Sequence, residues 1–398
     1  MTAPTVRPAS EPVQNKRSSW MVFGLANVVV VTVLALALWY LLVDPEWSPL
    51  RSYPEPYTAL LFWGIIAVVG MGFNQEFAAF AKFRQPVKGL VIVAVAAVFA
   101  AVMTYGLAHL WGSVDVSFAA EREGDLGYFT GALWVLFAFV VYVMSVVNWN
   151  HWPSSLTGLT QPWLGAAQII VLIVPTTALY LVFGLPSLAT WTREGSALMD
   201  TNTAIGVFYS IVVSIVMTGL LAQNWPWRAA GSPTRVALVA TAGNTVVGIV
   251  LYFGLQALAH LVLGPDDVAE LGATLPIFSA QIGVCWVFWM IVWANCFGNS
   301  PTAGSAARNV VVRVLITFVL GTTTFVSYYF FAASAVLHEP AITSRMNGNA
   351  LGWVDWWVLW ALVYVLCFES LGLSKLRPHS DPSGAVEDGR PLGDTISH

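Results

Sequence analysis

The sequence predicts an all-α, polytopic integral membrane bundle of about ten transmembrane helices, and three observations carry that prediction. Hydrophobic residues make up 57% of the 398 residues and charged residues only 10%, less than half of the charge with which a soluble domain covers itself. The apolar residues gather in ten runs of about 20 or more, long enough at 1.5 Å per residue to cross a hydrocarbon core about 30 Å thick. The runs are apolar on every side and do not alternate, which selects helices over barrel strands.

Taken in order, residues 1–19 form a polar segment with Arg7, Lys16 and Arg17, expected to be a cytoplasmic tail. The first run, 20–43, is longer than the core of a signal peptide and ends without a small-residue cleavage site, so it reads as a retained span. The remaining spans are expected at 58–80, 88–112, 129–149, 163–185, 204–224, 236–263, 275–297, 310–337 and 353–374. Residues 20–375 thus make one transmembrane domain. The tail over 376–398 is rich in Pro, Gly, Ser and Asp and is expected to be disordered and cytoplasmic.

Basic residues orient the bundle. With the N-terminus inside, thirteen Lys and Arg fall on the cytoplasmic side and only Arg51, Arg122, Arg193 and Arg345 outside, which accounts for all 17. This is the asymmetry of the positive-inside rule. It predicts both termini in the cytoplasm and the chain in the cell (cytoplasmic) membrane. The outer loops carry acids, Glu121, Glu123 and Asp125 in one and Asp266, Asp267 and Glu270 in another, as a solvated face would.

The even-numbered spans end alike. GFNQEF around Asn74, VVNWNHWP around Asn148, LAQNWPW around Asn224, WANCFGNSP around Asn295 and YVLCFES at Glu369 follow one another at intervals of 74, 76, 71 and 74 residues. That periodicity predicts an internal repeat of two-helix hairpins of about 74 residues. The first span is then a half unit and the last lacks its return partner. A repeat of this kind gathers polar groups at one depth near the cytoplasmic face: Asn74, Gln75, Glu76, Asn148, Asn150, Gln223, Asn224, Asn295, Asn299 and Glu369. Helix termination accounts for much of this, because Asn tolerates left-handed backbone and Pro153, Pro226 and Pro301 follow closely. The sharper expectation is a solute or ion path, with Trp149 and Trp225 beside it. Glu76 and Glu369 are read as the acids near span ends, with Lys82 or Arg84 and Lys375 as their expected ionic partners.

Several spans carry one-sided stripes: Ser210, Ser214 and Thr218; Tyr252, Gln256 and His260; Trp286, Trp289 and Trp293; Trp353, Trp356, Trp357, Trp360 and Tyr364. Spacing of three and four residues aligns each stripe on one helix face, as helix–helix packing or a lined conduit requires. His109, His260 and His338 fall near the outer ends of odd spans and are weak candidates for a metal or quinone site. No acid stands at helical spacing from them.

Cys285, Cys296 and Cys367 sit in apolar runs without a CxxC partner and read as buried hydrophobes. There is no P-loop, HExxH, CxxCH or GxSxG, and no motif indicates a cofactor. The net charge of −4 without a basic aromatic patch predicts no nucleic-acid partner. The expected function is a permease, a secondary transporter or channel-like path for a small molecule or ion. The rival is a membrane-embedded enzyme or redox protein using the outer histidines, and a third reading is a non-catalytic membrane subunit. The partners are the lipid bilayer and the substrate, and a homo-oligomer is compatible with the composition.

Overall fold

The computed structural model describes residues 14–121, 126–185 and 199–378. The expected tails lie outside them, save that the first helix reaches back to Gln14 and that residues 376–378 are described. Arg122, Glu123, Asp125 and Arg193 also lie outside. Among the described residues every named element is helical, and ten helices are long and apolar enough to cross a membrane. We number them α1 (Trp20–Leu42), α2 (Tyr57–Asn74), α3 (Val87–Ser113), α4 (Gly127–Val147), α5 (Trp163–Phe183), α6 (Thr201–Leu221), α7 (Pro233–Leu263), α8 (Pro265–Cys296), α9 (Ala306–Ala335) and α10 (Ala350–Cys367). A helix of sufficient length and apolarity stands at each of the ten expected positions. The ends of α2 and α10 fall six or seven residues short of the expected 80 and 374.

The ten helices form two concentric layers. In the even helices 72–83% of the most apolar window is buried, against 22–28% in the odd ones. The even helices pack in a closed ring, α2 on α4, α4 on α6, α6 on α8, α8 on α10 and α10 on α2. The odd helices surround this ring and pack chiefly on it.

The odd helices are built inside-out relative to a soluble protein. Their exposed faces carry Leu25, Val29 and Val33, or Val98 and Val102, or Val246, Val250 and Phe253. Their buried faces carry mostly polar and small residues at every fourth position: Asn27, Val31 and Ala35 on α1; Ile92, Ala96 and Ala100 on α3; Gln168, Leu172 and Thr176 on α5; Ala240, Asn244 and Gly248 on α7; Arg313, Thr317 and Gly321 on α9. Small residues let helices approach and polar ones bond across the contact, which drives helix association where the surroundings are as apolar as the side chains. A stripe at every fourth residue drifts about 40° per step around the helix, so each odd helix must cross the inner ring obliquely. Thus α3 packs along α2, meets α4 through Leu107 against Gly131 at one end, and meets α10 through Gly89 against Phe368 at the other. In the same way α1 packs along α10 and meets α8 through Gly24 against Phe297. The chain's first helix thereby stands to its last inner helix as α3 stands to α2.

Tryptophans of the inner ring tie the layers together. Trp134 Nε1 donates to Thr177 Oγ1 (3.1 Å), Trp286 to Thr317 (2.9 Å), Trp289 to Thr324 (2.8 Å) and Trp357 to Thr32 (3.1 Å). The threonines on α1 and α9 in turn donate to the carbonyl four residues back, as with Thr32 to Val28 and Thr324 to Leu320, so both groups are satisfied within apolar surroundings.

Candidate functional site

The C-terminal ends of the even helices share one end of the bundle, here called the base; their N-terminal ends form the crown. At the base each even helix closes with the same turn. Two consecutive residues take left-handed backbone: Glu76 and Phe77, Asn150 and His151, Gln223 and Asn224, Gly298 and Asn299, Glu369 and Ser370, all with φ between 50° and 62°. The second residue of each pair donates its N–H to the carbonyl six residues back, at 2.8 Å in Phe77, His151 and Asn224, 3.2 Å in Asn299 and 3.0 Å in Ser370. Such a closure satisfies one of the carbonyls that a helix end leaves unpaired. The pairs begin 74, 73, 75 and 71 residues apart.

This register corrects the alignment read from the sequence. Asn74 and Asn148 occupy one place in the turn, three residues before the second left-handed residue. Asn224 is itself such a residue, Glu369 is the first of its pair, and Asn295 lies one place before the position of Asn74. The polar groups accordingly gather in separate nodes, the first three each at a junction of two inner helices with an outer one. In the first node Asn74 Nδ2 donates to Gln168 Oε1 (3.1 Å) and Ser145 Oγ (3.3 Å), His151 Nδ1 pairs with Gln168 Oε1 (2.8 Å) and Gln161 Nε2 caps the Asn74 carbonyl (2.8 Å). In the second, Asn148 Nδ2 donates to Asn224 Oδ1 (3.0 Å), Asn224 Nδ2 caps the Asn148 carbonyl (2.9 Å) and Asn244 Oδ1 accepts from Ser214 (2.9 Å) and Thr218 (2.8 Å). In the third, Asn299 caps the Leu220 carbonyl (3.0 Å) and Arg313 the Leu221 carbonyl (2.9 Å). The fourth joins Ser370 to Asn27 (2.7 Å), and the fifth joins Lys88 to Glu369 (2.8 Å) while Gln85 caps the Cys367 carbonyl (2.7 Å).

Other expected residues stand apart. Asn295 bonds only its own helix, to the Ile291 carbonyl (2.8 Å); Asn150 and Gln223 are exposed. Trp149 donates to Thr241 (3.0 Å), and Trp225 is exposed. The ionic partners also differ from expectation. Glu76 lies 3.5 Å from His151, whose hydrogen bond holds its carboxyl below the usual range despite partial burial, and Glu369 pairs with Lys88. Sequence reading paired each acid with the nearest base along the chain, whereas the bundle supplies one from a neighbouring helix. His109 meets Tyr128 and Tyr105, His338 meets Asp44, and His260 is exposed, each from a different outer helix. Among the described residues no three metal-ligating side chains converge.

The crown holds what the sequence reading missed. Glu339 follows α9, is 3% exposed and accepts from the Tyr328 hydroxyl through Oε2. Its Oε1 is buried without a well-formed hydrogen bond, near the hydroxyl of Tyr53. No Lys or Arg among the described residues reaches it. Beside it the N-terminus of α10 is held by Gln281, which accepts from the Tyr329 hydroxyl and the Ala350 N–H (3.1 Å) and donates to Asn349 Oδ1 (3.1 Å). Tyr57 donates to the Gly352 carbonyl (2.9 Å). Next door Asp44, fully buried, accepts from His338 (2.9 Å) and from the N–H groups of Glu46 and Trp47. One turn into α10 lies Asp355, buried, with Oδ2 unpartnered and within electrostatic reach of Tyr57 on α2, Tyr209 on α6 and Cys285 on α8. Asp355 falls inside the expected tenth span, so a charge census of the spans alone finds it. Glu339 needs the fold, because its burial comes from α2, α9 and α10 together.

Compared with protein-family models, with curated proteins and with solved structures, the chain shows no significant match.

Proposed function

We propose that the chain is a permease for a small solute, with its path through the inner ring of even helices. The observation that carries this reading is Asp355. An ionisable side chain inside an apolar spanning helix is costly and marks a substrate or ion path by default, and this one, one turn into α10, lies within electrostatic reach of groups on three other inner helices. The layered architecture supports it: inner helices shielded from the surroundings by an outer layer can carry polar groups, whereas outer helices present aliphatic faces suited to a bilayer. An apolar groove of about 720 Å³ between α3 and α5, lined by Trp63, Phe99, Met103, Trp134 and Ile173, suits an acyl chain. The bilayer in question is the cell membrane, with the base and both termini on the cytoplasmic side by the count of basic residues. The five matching base turns, and the placing of α1 against α10, support descent from one duplicated hairpin closed into a circle.

The cytoplasmic ring of Glu76, Asn148, Asn150, Asn224, Asn295 and Glu369 remains part of the proposal only as a mouth. Its buried members are saturated by one another, so Asp355 is the residue on which we place the path. The enzyme reading has less support, since the three outer histidines are not brought together: His109 meets Tyr128, His338 meets Asp44 and His260 is exposed.

The test is flux into proteoliposomes. Purified protein is screened for a retained small molecule by native mass spectrometry, and shrinkage and reswelling are followed under gradients of that molecule, urea, glycerol and potassium chloride. A permeability above empty vesicles is expected for at least one solute, with a fall of tenfold or more in Asp355→Asn at unchanged melting temperature. Permeability equal to empty vesicles for all of them sinks the reading.

A further inference from the structure

We propose that Glu339 is a proton-binding site at the crown, and that its charge state governs the grip on the N-terminus of α10, so that transport is coupled to protons. The coupling half rests on the permease reading; the proton site does not.

The carboxyl group has the setting of a proton acceptor. It is buried, no cation is paired with it, and its immediate neighbours are hydroxyls. The titratable groups facing it are Tyr53 from the loop before α2, Tyr57 on α2, Tyr328 and Tyr329 on α9, and Asp44 after α1, itself engaged with His338. Asp355, one turn into α10, also lies within electrostatic reach of Tyr57. Every charge in this set save that of a protonated His338 is negative or absent, so nothing but the tyrosine hydroxyls and the backbone N–H of Asn349 stabilises the ionised form. Burial outweighs them and pushes Glu339 up to about 8, where a buried acid changes charge near neutral pH.

The same carboxyl group touches the element that carries Asp355. Asn349 is the N-cap of α10 and bonds the Leu351 N–H (3.0 Å). Asn347 Nδ2 donates to the Glu339 carbonyl (3.0 Å), and Gly348, at φ 81°, lies so close that a Cβ there would overlap both Glu339 Oε2 and the Tyr328 hydroxyl. A carboxylate in this place attracts the positive end of the helix dipole and the Asn349 N–H. Taking up one proton from water at the crown turns Oε into a hydroxyl and abolishes that attraction; giving the proton back restores it. Asp355 lies between one and two turns from that N-terminus, so a change in its hold reaches the inner ring directly.

The experiment is infrared difference spectroscopy on the full-length protein in nanodiscs, titrated from pH 5 to 10. The carbonyl band of a protonated carboxylic acid is expected to disappear with a midpoint near 8, and to be missing from Glu339→Gln. Tyr328→Phe removes a donor to the carboxylate and is expected to move the midpoint upward by about one unit, which keeps the test open should the glutamine variant fold poorly. A titration unchanged in Glu339→Gln, or a Tyr328→Phe midpoint that stays put or falls, overturns the site. A midpoint that moves when sodium replaces choline assigns a metal cation and overturns it too. In the proteoliposomes above, solute flux with the same pH dependence in wild type and Glu339→Gln overturns the coupling. The titration without any flux removes the permease reading and leaves the proton site.

Discussion

The base and the crown of the bundle handle buried polarity in opposite ways. At the base, neutral amides and hydroxyls come in repeated sets; the second node is saturated, and where the first and third leave an atom open it is a neutral amide oxygen, Asn74 Oδ1 and Asn299 Oδ1. At the crown, two carboxyl groups within one region, Glu339 and Asp355, each keep an oxygen without a partner, and nothing repeats them around the ring. An open amide oxygen can only accept a hydrogen bond, whereas a buried carboxyl group can also take up or release a proton. The base is therefore read as the lock that holds two layers together and the crown as the place where charge can change.

The sharpest way to break this comparison is pH. Glu339 is pushed up to about 8 in the folded protein against 4.5 in an unfolded chain. Between those values the folded state holds more protons, so stability is full below about 4.5 and falls as pH rises to about 8, by on the order of 1 kcal/mol per unit. Melting of the purified protein across pH 5 to 9 should show this slope, and Glu339→Gln should flatten it. No base variant should.

Asn148→Leu is the next largest. It strands Asn224, Thr218 and Asn244 around one vacated position, at a cost of about 1–3 kcal/mol that should appear as a lower melting temperature at every pH. A pH-dependent loss would move the base into the same class as the crown.

The ion pair of the fifth node gives a smaller, asymmetric effect. The Lys88 side chain is 6% exposed and that of Glu369 42%, so Glu369→Gln leaves a buried ammonium while Lys88→Met leaves a carboxylate that water can reach. Chemical denaturation should find the first worse than the second by about 1 kcal/mol. The smallest effect belongs to Trp286→Phe, which removes one interlayer hydrogen bond to Thr317 whose own donor remains satisfied by Arg313. A loss of about 0.5–1 kcal/mol in the same assay is expected.

Much of the fold is written locally. A run of twenty apolar residues is a property of a single segment, so ten helices could be read one at a time, and the left-handed turns after α4, α6 and α8 announced themselves in Asn, Gln and Gly, whereas those at Glu76–Phe77 and Glu369–Ser370 did not. The nodes were half legible: Asn74 and Asn148 stood out in their motifs, while their partners Gln168 and Asn244 sat inconspicuously in odd helices, visible only as members of fourth-residue stripes. The pairing of Glu369 with Lys88 joins residues 281 apart, and no local pattern encodes such a distance.

What the sequence by itself determined is therefore the number of helices and their approximate places along the chain, because helix formation and termination in apolar segments depend on neighbours a few residues away. The tertiary structure alone decided which helices lie inside, that α1 completes the ring beside α10, and that Glu339, in a loop by its sequence, is buried among tyrosines of three elements. Burial is a property of the whole packing, and a carboxyl group acquires its chemistry from what the other helices bring against it.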